Sequence, residues 1–217
     1  MDELCGIKII PVCPYKQMEL KLPGVELVGE EITLNCGRLG NSMANGGGGD
    51  DVSLIFTYGT LKRGFYNHML IEDLMRTSDA VFLGDYSTIE SFPLVVGPHG
   101  IPYLINLPGL GHRVRGELYS VSSDRGLARL DELERIDNGH YERLPVEVTA
   151  EDGGEKVAAV EAYFAHREFG EAMWERCGKE GLSEFSMALG GKYVRRDDRP
   201  SNSSFLGDIK KFISGDN

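Results

Sequence analysis

Between residues 53 and 166 the chain sets short runs rich in β-branched and aromatic residues against Gly, Pro and Asp signals, at a spacing with little room for crossover helices. The runs fall at 53–58, 80–88, 92–96, 102–106, 114–121, 143–149 and 157–166, with breaks such as Gly97-Pro98 and Asp152-Gly153-Gly154. Parallel neighbours need a connection of about a dozen or more residues. Most gaps here are shorter, so an antiparallel or mixed sheet is expected rather than a doubly wound parallel one. Helical periodicity is confined to 67–75, 125–134 and 170–177. The expected class is α+β, with six or seven strands dominating the core and a closed barrel with helices packed outside as its form.

Residues 41–51 read NSMANGGGGDD, which cannot bury apolar surface and is expected to act as a flexible linker. No Gly-Lys-Ser/Thr follows the glycines, so they do not read as a phosphate-binding loop. The expected division is an N-terminal extension over 1–50 that includes the linker, a domain over 51–200 and a C-terminal tail over 201–217, with Met43 as an alternative start. The tail contains FLGDIKKFI, a short amphipathic pattern suited to terminal packing on the domain.

Of 217 residues, 41% are hydrophobic and 26% charged, which is ordinary for one well-buried domain. The 23 Lys+Arg against 34 Asp+Glu leave a net charge of −11, which opposes association with nucleic-acid phosphates or anionic lipid. No apolar stretch nears the roughly 18 residues that span a bilayer. Met1-Asp2-Glu3 lacks the basic start of a secretory signal, and a cytosolic location is expected. Cys5, Cys13, Cys36 and Cys177 are too irregular for a zinc site and too sparse for a disulfide framework, so free thiols are expected. His68, His99, His112, His140 and His166 show no paired spacing, and no metal is expected.

Two places carry chemistry. At Tyr58-Gly59-Thr60-Leu61-Lys62-Arg63-Gly64 a hydrophobic strand breaks at a glycine, leaving backbone N–H groups without ladder partners. Consecutive free amides make a concave nest for a carboxylate or a developing oxyanion, and a glycine admits close approach. The alternative is an ordinary turn with Lys62 and Arg63 solvated.

The second place is Leu127-Ala128-Arg129-Leu130-Asp131-Glu132-Leu133-Glu134. With Leu127 at the origin, a rotation of about 100° per residue puts Leu130 at about 300°, Leu133 at about 240° and Glu134 at about 340°. Glu134 thus falls within the leucine face, while Glu132, at about 140°, joins Arg125 and Arg129 on the polar side. A carboxyl facing apolar surroundings is costly to ionise, which raises its pKa toward the range of a working acid/base. A helix ending at Leu133 would instead turn Glu134 outward.

Other candidates have simpler roles. Ser122-Ser123-Asp124 suits a helix N-cap, with no nucleophile elbow around it. His140, His166 and Cys177 lack catalytic neighbours in sequence and read as satisfied structural residues, and Met173-Trp174 reads as core.

The stretch FTYGTLKRG with Asn67-His68 resembles the γ-glutamylcyclotransferase-like superfamily, in its branch of γ-glutamylaminecyclotransferase and plant avirulence-induced-gene-like proteins. In order follow FPLV, IPYL, LPG, GELY, LDELE and YER, so the resemblance runs from about Leu54 to about His166. It implies a small closed β-barrel with flanking helices, a substrate-holding loop at Tyr58, Gly59, Thr60 and Leu61, and a catalytic glutamate at Glu134. The implied reaction is cyclisation of a small-molecule γ-glutamyl compound to 5-oxoproline, an acyl transfer that needs no cofactor. Leaving group stays open between γ-glutamylamines, γ-glutamyl-amino acids and glutathione, as does a non-catalytic binding module on the same fold.

Overall fold

A computed structural model describes residues 52–151, 153–154, 156–200 and 204–215. The N-terminal extension, its Gly-rich stretch, Met43 and Cys5, Cys13 and Cys36 lie outside them. In chain order the elements are β1 (Ser53–Thr57), α1 (His68–Arg76), β2 (Ala80–Thr88), β3 (Leu94–Val96), β4 (Pro102–Leu104), β5 (Arg115–Val121), α2 (Asp124–Glu134), β6 (Tyr141–Ala150), β7 (Lys156–Ala165), α3 (Gly170–Arg176), α4 (Met187–Gly190) and α5 (Phe205–Ser214).

Five strands form a ring. β1 pairs antiparallel with β5, β5 with β2, β2 with β6, and β6 with β7. The ring closes where β7 lies parallel to β1, with Leu54 opposite Val160 and Phe56 opposite Ala162. The β3–β4 hairpin hangs on the outer edge, β4 running parallel to β7 at Leu104 and Phe164. The sheet is therefore mixed, as the spacing required, and closure removes the unpaired edges that an open sheet would expose. Strand bounds differ from expectation by one or two residues, and at β3 a proline gives the reason: Phe92 makes only an isolated bridge to His112, because Pro93 cannot donate to a ladder.

Period-2 alternation divides the strand side chains between two apolar clusters. Phe56, Leu118, Val146, Val148, Val160, Ala162 and Phe164 share one, with Phe92 and Phe185. Ile55, Tyr119, Val121, Tyr141, Tyr163 and Ala165 belong to the other, where Ile71 and Leu74 of α1, Leu130 of α2, Met173 and Trp174 of α3 and Ile209 of α5 meet them. Helices thus cover one set of strand faces. Met173 and Trp174 are core, and the apolar face of the C-terminal segment is used by α5, which is tied further by Asp208 to His99 at 2.9 Å and by Arg176 Nε donating to the Phe212 carbonyl at 2.9 Å. Among the described residues no helix is long and apolar enough to cross a membrane.

Two side-chain devices set the ends that matter. Ser123 caps α2, its hydroxyl accepting from the Gly126 N–H at 3.0 Å. The turn after β1 is held by Glu117 of β5, a buried carboxylate that accepts from the Arg63 N–H at 3.0 Å, Arg63 Nε at 3.0 Å and the Tyr119 hydroxyl at 2.7 Å. Arg63 also reaches Asp85 at 2.7 Å, and the buried Lys62 reaches Glu184 at 3.3 Å. Neither cation is merely solvated. Glu117→Ala strands a part-buried amide and the buried Tyr119 hydroxyl, so urea unfolding is expected to show a loss of about 2–3 kcal/mol relative to wild type.

Candidate functional site

Past Thr57 the β1 ladder ends, and residues 58–61 cross the mouth of the barrel beside the β4 strand. Among the described residues no acceptor is found for the N–H groups of Gly59, Thr60 and Leu61, the condition expected of an anion-holding nest. Their shape is fixed from behind. The Tyr58 hydroxyl donates to the Tyr163 carbonyl at 2.6 Å and accepts from the Leu104 N–H at 3.2 Å, tying β1, β4 and β7 together. Tyr58 therefore spends its polar atom on the frame. Thr60 Oγ accepts from Asn67 Nδ2 at 2.8 Å, and the Leu61 carbonyl accepts from His68 Nδ1 at 2.8 Å.

Gly59 has a packing reason not anticipated from sequence: a Cβ there would lie 2.7 Å from Pro102 Cγ. The glycine lets the loop rest on β4, in addition to any close approach by ligand.

Glu134 is the last residue of α2, so the helix reaches far enough to keep it on the inner face. Arg135 then turns left-handed, with φ 54°, a conformation that costs a non-glycine residue roughly 1 kcal/mol, and the chain doubles back to His140 and β6. Leu130 is fully buried as the wheel required, but Leu133, which was placed on the same face, is 36% exposed. It sits at the edge of the apolar arc, which leaves room beside Glu134 for a cavity.

That cavity measures about 680 Å³. Tyr58, Gly59, Thr60, Leu61 and Glu134 all line it, so the fold brings together the two sequence-derived candidates, Leu61 and Glu134 being 73 positions apart in the chain. Burial first, and then the charge of Asp131 one turn earlier, pushes the Glu134 carboxyl up to about 8. Asp131 itself is held by the Tyr163 hydroxyl at 2.8 Å and lies 3.4 Å from Arg143 Nε, an ion-pair approach without hydrogen-bond alignment. A carboxyl titrating near neutrality can take a proton and give it back.

The rest of the wall was not foreseen. Tyr141 and Tyr163 line it with burial holding both phenols well above their usual range, and the Tyr141 hydroxyl donates to the Pro102 carbonyl at 2.8 Å. Asn67, Tyr193, His140 and Arg135 also face it. Sequence offered a signal for Asn67, within the Asn67-His68 motif, and for Tyr141, within YER. His140 was expected to be satisfied, yet only its Nε2 is engaged, 3.2 Å from the Tyr103 hydroxyl, while its buried Nδ1 has no partner among the described residues. His166 receives the Glu168 N–H at 3.3 Å, and Cys177 is a free, half-buried thiol that burial pushes up, away from the reactive thiolate range.

Comparison with known proteins gives a consistent picture. Residues 55–179 match the family described as gamma-glutamyl cyclotransferase, AIG2-like. A protein of Arabidopsis thaliana, whose name gives it only provisionally as a gamma-glutamylcyclotransferase, is 47% identical over 173 residues, covering 75% of this chain and 92% of its own. The gamma-glutamylaminecyclotransferase of Rattus norvegicus is 46% identical over 95 residues, 43% of this chain and 62% of the rat enzyme, so the chain spans less than two thirds of that relative. Among solved structures, a mouse AIG2-like protein superposes with a TM-score of 0.58 at 35% identity, over 68% of this chain and 99% of the mouse chain.

Independently of these relatives, the environment of Glu134 sets a pH dependence of stability. Its folded pKa lies above its unfolded one, so between the ordinary carboxylate range and about 8 the native state holds a proton that the unfolded chain has lost. Stability contributed by this group therefore falls as pH rises through that window and levels off above it. Glu134→Gln lacks the titration and is expected to gain on wild type between about pH 5 and about pH 9 in urea unfolding, whereas a pH-independent difference would mean an unshifted carboxylate.

Proposed function

The chain belongs to the gamma-glutamyl cyclotransferase, AIG2-like family, and from that premise we propose that it converts γ-glutamylamines to 5-oxoproline and a free amine, with Glu134 as the proton carrier. What supports this reading is one observation: the Tyr58 to Leu61 loop and Glu134 line a single cavity.

In a γ-glutamylamine the α-amine lies within reach of the side-chain carbonyl carbon. Its attack closes a five-membered ring, the amide C–N bond breaks, and the departing nitrogen leaves as an amine. Holding the substrate bent supplies the proximity that makes the step unimolecular. The free amides of residues 59–61 offer donors to the α-carboxylate or to the oxyanion as it forms. Glu134, as carboxylate, accepts the proton released by the attacking nitrogen and, as acid, returns it to the leaving nitrogen. A pKa near 8 suits both halves of that cycle. The buried phenols of Tyr141 and Tyr163 stay neutral and so add no competing charge beside it.

Glu134→Gln is nearly isosteric and cannot carry the proton. It is expected to keep the wild-type circular dichroism spectrum and to bind 5-oxoproline, while its turnover of γ-glutamyl-ε-lysine, scored as 5-oxoproline released, falls by about 10²–10⁴-fold. Wild-type rates in this variant would remove Glu134 from the mechanism; no turnover by the wild-type protein on any γ-glutamyl compound, with 5-oxoproline still bound, would instead make the cavity a binding site.

A further inference from the structure

Beyond the loop and Glu134, the cavity is bordered by Arg135, Arg195, Arg196 and Arg199, in a chain whose net charge is −11. Among the described residues none of these four has a carboxylate within ion-pair distance; the fifth lining arginine, Arg129, reaches Asp73 at 3.4 Å. Other contacts position two of them without neutralising them. Arg195 lies over the Tyr66 ring at 4.2 Å, and Arg199 lies over Tyr193 while its Nε and one terminal nitrogen donate to the Val194 carbonyl. Of the acids on the same wall, Asp208 is engaged with His99, Glu134 is the raised carboxyl, and Glu132 and Asp197 are exposed, as are Arg195 and Arg196 at the rim, while Arg135 and Arg199 are half-buried.

These guanidiniums also act on one another. Arg196 and Arg199 push the Arg135 guanidinium down, after its own desolvation, and Arg135 and Arg199 help burial hold His140 neutral, so these groups share one neighbourhood. The charge that acts on Glu134 is that of Asp131. Mutually repelling cations gathered beside a cavity are stabilised by an anion, and the planar fork of arginine matches a carboxylate. The buried His140 Nδ1, without a partner among the described residues, adds a polar atom to the same neighbourhood.

We propose that Arg135, Arg196 and Arg199 form a subsite for a carboxylate carried by the leaving amine, so that the enzyme selects γ-glutamyl conjugates whose amine half is anionic at its far end. The proposal rests on the cyclotransferase reading and names its substrate class. The α-carboxylate of the glutamyl half goes to the loop amides, on the other side of the reacting carbonyl.

Matched substrates test it: γ-glutamyl-6-aminohexanoate against its uncharged carboxamide, with γ-glutamyl-cadaverine as the cationic counterpart. The expected order in kcat/KM is carboxylate, then carboxamide, then ammonium, with at least about a tenfold step between the first two, which one well-made charged contact provides. Arg135→Asn, a residue that tolerates the left-handed turn, and Arg196→Gln are each expected to shrink the carboxylate-to-carboxamide ratio below about 3-fold, while inhibition by 5-oxoproline is retained. Equal turnover of all three substrates by the wild-type protein would overturn the subsite and leave the cyclotransferase reading standing. Loss of 5-oxoproline inhibition in the arginine variants would also overturn it, by assigning the arginines to the glutamyl carboxylate. Absence of 5-oxoproline from every substrate would mark failure of the functional reading itself.

Discussion

The parallel pairing of β1 with β7 is the contact on which the rest of the molecule depends. Parallel pairing joins strands far apart in sequence, and here it converts a run of antiparallel neighbours into a ring. The same closure ends β1 abruptly against β7 and β4, where the Tyr58 hydroxyl links both. The β1 ladder stops there, and among the described residues the N–H groups of Gly59, Thr60 and Leu61 find no acceptor. Closing the barrel and freeing these donors are thus one event.

Around that event the site is built from rigid parts. Glu117 grips the turn through a main-chain amide, a guanidinium and a phenol, so the loop has its shape before any ligand arrives. On the opposite wall, α2 starts at a serine cap and ends at a strained left-handed arginine, which fixes Glu134 at the last turn rather than leaving it on a fraying end. The Asp131–Tyr163–Arg143 group then holds a negative charge near that carboxyl, half-buried and fixed in place. Strain and an uncomfortable charge, both unfavourable to stability, gather beside the same cavity.

Local pattern made much of this legible and long-range pairing made the rest illegible. Strand runs, the Ser123 cap and the inward direction of Glu134 follow from periodicity and capping, which operate within a few residues. The Arg63–Glu117 brace joins residues 54 apart, and nothing near either one announces the other. The same holds for Gly59 against Pro102, for the open Nδ1 of His140 and for the arginines after Tyr193, which read in sequence as an ordinary charged stretch. Leu133 went astray for a different reason: the helical wheel assumes that an apolar arc is covered throughout, whereas here its edge borders a cavity.

The contact between Gly59 and Pro102 has a consequence for how such an enzyme can change. With no space for a side chain at Gly59 and a proline beneath it, that point of the loop is intolerant of variation. The opposite border, supplied by Arg195, Arg196, Arg199 and Phe205, comes from chain that lies outside the ring of strands. These residues line the cavity without belonging to the barrel. A duplicated copy of this gene could therefore diverge along that border while the ring of strands that carries the loop stays constant.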